Sequence, residues 1–244
     1  MSSSLTKKFF LLEGKTKKIF STENPNKIIL HYKDELSALN GLKKEFLQKK
    51  GILNNEISSF LFKKMNYYGI NTHFIRKINN REQLCHKVNM IPLEFVIRNI
   101  ITGSMSKRLG IKKGTIPSNT IFEIFYKNDA LMDPFINIHH AVFICDVSYE
   151  ELNIIHQITL NINNFLKKLF LDKNIILVDF KIEFGKNKKN KILLSDEISP
   201  DTCRLWDKKT NKKLDKDVFR NNSHKNILDI YMEVLKRLNV PNNN

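Results

Sequence analysis

Residues 177–207, LVDFKIEFGKNKKNKILLSDEISPDTCRLWD, alternate apolar and ionisable side chains at the two-residue period of a β-strand. Val178, Phe180, Ile182 and Phe184 fall on one side, and Asp179, Lys181 and Glu183 on the other. A turn over residues 185–190 and a second apolar run, 192–194, predict a hairpin that brings Asp196 and Glu197 into the same neighbourhood. Four carboxylates are then expected to converge around one lysine. Such a cluster repels itself and raises its own pKa values, so it calls for a bound cation or a solvated edge.

The rest of the chain supplies strands first and mixed elements later. Residues 9–12, 16–20 and 27–32 read as a β-meander, with turns at Glu13–Gly14 and Asn24–Pro25. Residues 33–51 are charged and irregular, carry Asn40–Gly41 as a turn signal, and read as a surface or site loop. A helix is expected from an N-cap at Asn54 or Asn55 to Gly69, with Ile57, Phe60, Leu61, Met65 and Tyr68 on its core stripe. Residues 72–78 and 83–88 read as strands, and a break at 89–92 is the expected domain boundary. It divides the chain into 1–89, a β lobe with one helix, and 90–244, a larger mixed lobe.

Beyond that boundary, 93–101 is strand-like and leads through Thr102-Gly103-Ser104 into a short helix closed by Gly110. Ser148 and Glu151 form a capping box for a long helix with an apolar stripe from Leu152 to Leu169. A polar, basic stretch runs to His224, and a last helix carries Ile227, Ile230, Tyr231, Val234 and Leu235 and stops at Pro241. The order of elements predicts an α+β (mixed α/β) protein of two lobes, not a doubly wound parallel sheet, with its site in the cleft between them.

The formal net charge of +16 suggests nucleic acid, an acidic membrane surface or anionic small substrates. Lysines are spread through every region, however, and do not form the clustered footprint that nucleic-acid binding requires. Cys85, Cys145 and Cys203 lie far apart with no CxxC pairing, which argues against a zinc site or a disulfide framework. The first residues, MSSSLTKK, lack a signal-peptide core, and no apolar run approaches the roughly 20 residues of a membrane span. A cytoplasmic, soluble protein with neither nucleic acid nor membrane as partner is expected.

Several groups can carry chemistry. In Glu13-Gly14-Lys15-Thr16-Lys17, Lys15 and Lys17 share a face beside a glycine turn and can hold nucleotide phosphates; a plain basic hairpin has the same sequence. Arg98, the run 102–104, Lys107 and Arg108 form a candidate phosphate nest, with an N-cap and surface bases as the alternative. Lys127, Asp129 and Asp133 in KNDALMDP can bind a substrate amino group or simply shape a turn. His139 and His140 lack a third ligand at metal spacing. Asp179, Lys181, Glu183 and Asp196 suit magnesium, which takes one or two carboxylates plus phosphates and water, and Arg204 can clamp a further anion.

Five motifs in order, EGKTKKIF, VIRNIITGSMSKRLG, FYKNDALMDP, ILVDFKIEFG and LLSDEISPDTCRLWDK, resemble the SAICAR synthetase family of purine biosynthesis over nearly the whole chain. The resemblance implies a homodimeric ligase that joins L-aspartate to the carboxylate of carboxyaminoimidazole ribonucleotide (CAIR), using ATP and magnesium. It also implies an N-terminal lobe similar to the protein-kinase small lobe and a larger lobe of ATP-grasp type. By the same resemblance, Gly14, Lys15 and Lys17 form the nucleotide-phosphate turn, and Lys87 to Met90 form the hinge against adenine. Asp196 with Glu183 holds magnesium, and Lys181 lies beside the transferred phosphoryl group with Asp179 supporting it. Arg98, Ser104 and Arg204 anchor the ribonucleotide phosphate, and Lys127, Asp129 and Asp133 help with aspartate. The chain departs from the family's Thr-Ala-Phe-Asn-Gly at Leu36-Ser37-Ala38-Leu39-Asn40-Gly41. The residues alone also leave open a small-molecule kinase and a basic nucleic-acid-binding module.

Overall fold

The computed structural model describes residues 7–38, 43–220 and 227–240. The meander forms as expected, as β1 (Phe10–Glu13), β2 (Lys17–Ser21) and β3 (Lys27–Tyr32). It is completed by β6 (Phe74–Asn79) and β7 (Glu82–His86) in an antiparallel sheet of order β1-β2-β3-β7-β6. Between β3 and β6 the chain makes a hairpin, β4 (Glu35–Ala38) with β5 (Lys43–Phe46), and then α1 (Lys50–Tyr67). Residues 35–38 and 43–46 are therefore paired strands within the expected loop; the Asn40–Gly41 turn signal lies outside the described residues.

α1 starts earlier than its sequence suggests. Its N-cap, Lys49, offers no side-chain bond, and the Gly51 N–H instead donates to Asp34 Oδ1 at 2.9 Å. A distant carboxylate thus does the capping, which no local pattern shows. Asn54 and Asn55 sit inside the helix, donating to Asp201 Oδ2 and to the Asn79 carbonyl. Tyr68 lies past the helix end and is exposed.

The second sheet is built on β8 (Asn89–Arg98) and β11 (Ile175–Lys186), in the order β10-β9-β8-β11-β12, with β9 (Ile121–Tyr126), β10 (Phe135–Ile136) and β12 (Ile192–Ser195). The expected break at 89–92 is instead part of β8. Pro92 is tolerated there because the register with β11 slips between Glu183 and Gly185, so its missing N–H meets a bulge. β11 also runs on past Gly185 to Lys186, and a Cβ at Gly185 would fall 2.5 Å from the Val88 side chain. Glycine lets the linker between the sheets cross directly over this strand.

β11 pairs with β8 along one edge, while its other edge is shared by β13 (Cys203–Asp207) and β12. The segment 196–202 connects these two partners across the middle of β11, where the Lys181 N–H donates to the Thr202 carbonyl. α4 (Tyr149–Leu171) opens on the expected Ser148–Glu151 capping box and packs against β11. Its stripe joins Phe180, Ile182 and Phe184 in a core that also contains α1 and α6 (Ile227–Arg237). Two short helices, α2 (Gly103–Leu109) and α3 (Ile138–Ile144), flank β9 and β10 in sequence, and α5 (Asp217–Arg220) breaks the polar stretch before α6. His224 and Pro241 lie outside the described residues. No helix among the described residues is long and apolar enough to cross a membrane.

Candidate active site

The ionised face of β11 exists, but its charges divide into two groups at its two ends. Asp179, near the first half of the strand, accepts from Arg98 Nη1 at 2.9 Å and from Arg204 Nη1 at 2.8 Å. Arg98 also donates to Glu123 Oε2 at 2.8 Å and to Ser104 Oγ at 3.1 Å, and Arg204 Nε donates to Asp217 at 2.9 Å. Burial opposes the Arg204 charge, but Asp179 and Asp217 override it and raise its pKa. Gly103, at the start of α2, has φ of +60°, and a Cβ there would lie 2.7 Å from Arg204 Nη2. Only glycine both adopts this backbone and leaves the guanidinium its place. Arg98, Ser104 and Arg204 are thus brought together, while Lys107 points to solvent.

At the other end the cations are lysines. Lys17 Nζ reaches Asp196 Oδ1 and Glu197 Oε1, each at 2.6 Å, and Lys127 Nζ reaches Glu183 Oε2 at 2.5 Å. Lys181 pairs with Glu94 and lies 3.9 Å from Glu183. The expected convergence of four carboxylates on one lysine is therefore wrong: Asp196 and Glu197 pair with Lys17, and Asp179 belongs to the arginines. The alternation of β11 placed three ionised residues on one face, but a strand rises about 3.3 Å per residue, so Asp179 and Glu183 are roughly 13 Å apart along it.

Burial would lower the Lys17 pKa, but Asp196 and Glu197 hold it well above its usual value. Lys181 is raised in the same way by Glu94, Glu183 and Asp196 against its own burial. Glu183 is raised by burial and by the charge of Asp196. Burial pushes Asp196 in that direction too, but Lys17, Lys127 and Lys181 outweigh it and depress its carboxyl. Two neighbouring carboxylates are thus driven apart in acidity, a pattern that marks functional sites. Asp196 also has φ of +61°, a left-handed conformation that is costly for a residue with a Cβ.

Asp196 and Glu183 are close enough for their charges to couple, and both present oxygen. Among the described residues no group of three or more His, Cys, Asp or Glu residues could hold a metal. Two carboxylates suit magnesium, whose remaining positions go to phosphate and water.

The glycine turn closes through a Gly14 N–H bond to the Lys17 carbonyl at 2.8 Å, and Lys15 reaches across to Asp129 Oδ1 at 2.6 Å. The KNDALMDP loop therefore meets the meander at this point. Asp133, in contrast, accepts from the Asn128 N–H at 2.9 Å and shapes its own loop. Lys87 donates through its N–H to the Asn26 carbonyl, and half-exposed Met90 lies opposite Gly185. His139 contacts Tyr149, and His140 completes the cap of α3.

Glu197, expected beside Asp196, pairs with Lys17, whereas Glu94, Glu123 and Asp217 join these networks without having been candidate site residues. Glu94 shares strand parity with Arg98, a readable signal; the others are recognisable only by what they pair with. The complete arrangement can bind two anionic groups at opposite ends of one strand and neutralise charge that develops at the lysine end.

A profile of the SAICAR synthetase family matches residues 10–238. The phosphoribosylaminoimidazole-succinocarboxamide synthase of Fusobacterium nucleatum is 56% identical over 229 residues, covering 94% of this chain and 96% of the relative. The crystal structure of the Ehrlichia chaffeensis enzyme of the same name superimposes with a TM-score of 0.93 at 48% identity, over 96% of this chain and 100% of that one. A SAICAR synthetase solved in complex with ADP matches with a TM-score of 0.90 at 44% identity, over 93% and 96% of the two chains.

Proposed function

The chain belongs to the SAICAR synthetase family, and from that premise we propose how its divided charged strand performs the reaction. The enzyme is an ATP-dependent ligase of purine biosynthesis, joining L-aspartate to the carboxylate of CAIR to give SAICAR, ADP and phosphate. In our reading residues 1–89 act as a kinase-like nucleotide lobe and 90–244 as an ATP-grasp-like lobe. The protein works in the cytoplasm as a homodimer.

The ribonucleotide lies along β11. Arg98, Ser104 and Arg204 hold its phosphate, because two guanidinium groups offer donors in a fixed fork that matches phosphate geometry. Its carboxylate then reaches the lysine end, a separation on the scale of a nucleoside monophosphate. Gly14, Lys15 and Lys17 receive the ATP phosphates, and the linker from Lys87 to Met90 borders the adenine. Asp196, assisted by Glu183, would hold magnesium, which would supply positive charge to offset that of the phosphates.

A carboxylate is a poor electrophile, so the route runs through an acyl phosphate. A carboxylate oxygen attacks the γ-phosphorus, ADP leaves, the aspartate amine attacks the activated carbonyl, and phosphate departs. Lys181 neutralises the reacting carboxylate and Lys17 the phosphoryl oxygens, so catalysis rests on positioning and electrostatics without a side-chain nucleophile. Lys127, Asp129 and Asp133 border the entry of aspartate.

The observation that carries this reading is the pairing of Lys17, Lys127 and Lys181 with Asp196, Glu183 and Glu94 at one end of a strand whose other end holds Arg98 and Arg204. Phosphate release is expected only with ATP, CAIR and aspartate together. Turnover that proceeds to completion without aspartate or any other amine acceptor would sink the ligase reading.

A further inference from the structure

Lys216 stands between β13 and α5 and has a role in none of the networks above. It is only 8% exposed, and among the described residues it makes no side-chain hydrogen bond or ion pair. Its N–H donates to the Pro200 carbonyl, which fixes it beside segment 196–202.

Its charged neighbours are already occupied. From segment 196–202 it faces Asp201 and Glu197, from α1 Lys50, and from α5 Arg220. Asp201 accepts from Lys50, Asn54 and Tyr231, and Glu197 from Lys17 and Ser199. Arg220 pairs with Asp217. Lys216 is therefore a surplus cation: burial is the main cause that brings its pKa down from 10.5 to about 8, with Lys50 and Arg220 adding to it against Asp201 and Glu197. A lysine that gains no partner in return for desolvation lowers the stability of the fold.

We propose that Lys216 binds a carboxylate of the amino-acid co-substrate, forming a subsite for L-aspartate at the edge of segment 196–202. The assignment rests on the ligase reading and follows from a count of anions. The nucleotide phosphates have Lys15 and Lys17, the ribonucleotide phosphate has Arg98 and Arg204, and the reacting carboxylate has Lys181. Aspartate brings two carboxylates, and among the described residues Lys216 is the buried cation left without an anion.

The test is steady-state kinetics of Lys216→Met, which keeps the length of the side chain, with thermal melting of the same protein. The KM for aspartate is expected to rise about 10- to 100-fold, the loss of one charge-assisted hydrogen bond. The KM values for ATP and CAIR stay within about twofold, and Lys216→Arg recovers part of the aspartate affinity. Melting of the ligand-free Met variant stays level or rises, because a buried unpaired charge has gone. An unchanged KM for aspartate overturns the proposal, as does a variant that melts lower or fails to fold, or one in which all three KM values rise together. Hydroxylamine in place of aspartate separates this proposal from the reading beneath it: wild type and Lys216→Met should both convert CAIR and ATP to the hydroxamate at similar rates. A hydroxamate lost only in the variant overturns the aspartate assignment. Absence of hydroxamate from the wild type overturns the acyl-phosphate route, and the KM values still decide the role of Lys216.

Discussion

Both ends of β11 hold buried carboxylates, yet arginines close one end and lysines the other. At the Asp179 end a single guanidinium, Arg98, joins Glu123, Asp179 and Ser104 at once, and Arg204 spans Asp179 and Asp217. Arg98, Glu123 and Asp179 are each almost completely buried. At the Glu183 end, Lys15, Lys17, Lys127 and Lys181 are point charges whose side-chain exposure ranges from 10% at Lys17 to 47% at Lys15, each on a carboxylate partner. A planar fork fixes geometry, whereas a flexible ammonium can exchange one anion for another. The arginine end therefore suits a group that is held throughout the reaction, and the lysine end one that changes charge as phosphoryl moves.

Three substitutions can break this contrast. Asp196→Asn should have the largest effect, lowering turnover about a thousandfold with little change in melting, because in the proposed mechanism it acts electrostatically at the reacting centre. Phosphate release with parallel circular-dichroism melting checks this, and a loss under about tenfold would place Asp196 with the structural acids. Arg98→Met should reverse the balance. It leaves Asp179 and Glu123 buried with fewer cations, so urea unfolding should show a stability loss of about 3–5 kcal/mol; an unchanged midpoint would mean the arginine end is not a structural unit. Lys15→Met should have the smallest effect on the fold. Its pair with Asp129 is exposed, so stability should shift by less than about 1 kcal/mol while the KM for ATP rises about tenfold. An unaltered KM for ATP would remove Lys15 from the nucleotide turn.

Much of the secondary structure was legible because its causes are local. The alternation from Val178 to Phe184 dictates a strand with one apolar face, and Ser148 with Glu151 caps α4 through bonds three residues apart. Misreadings arose where a distant residue replaced a local signal. Asp34 caps α1 in place of Asn54 or Asn55, and the bulge opposite Pro92 carries β8 through an expected break. The candidate residues were legible by type, and Arg98, Ser104 and Arg204 as a group, but which carboxylate pairs with which cation was not.

By itself the sequence determined which residues alternate along β11, where α4 begins, and that acids and bases accumulate in five ordered motifs. Tertiary structure alone decided which charge meets which. Lys17 reaches Asp196 from 179 residues away in the chain, and Asp179 turns to Arg98 and Arg204, not to Lys181 two positions along its own strand. The physical reason is that strand parity depends on neighbouring dihedral angles, whereas charge pairing depends on distance through space, which exists only once the sheets have come together.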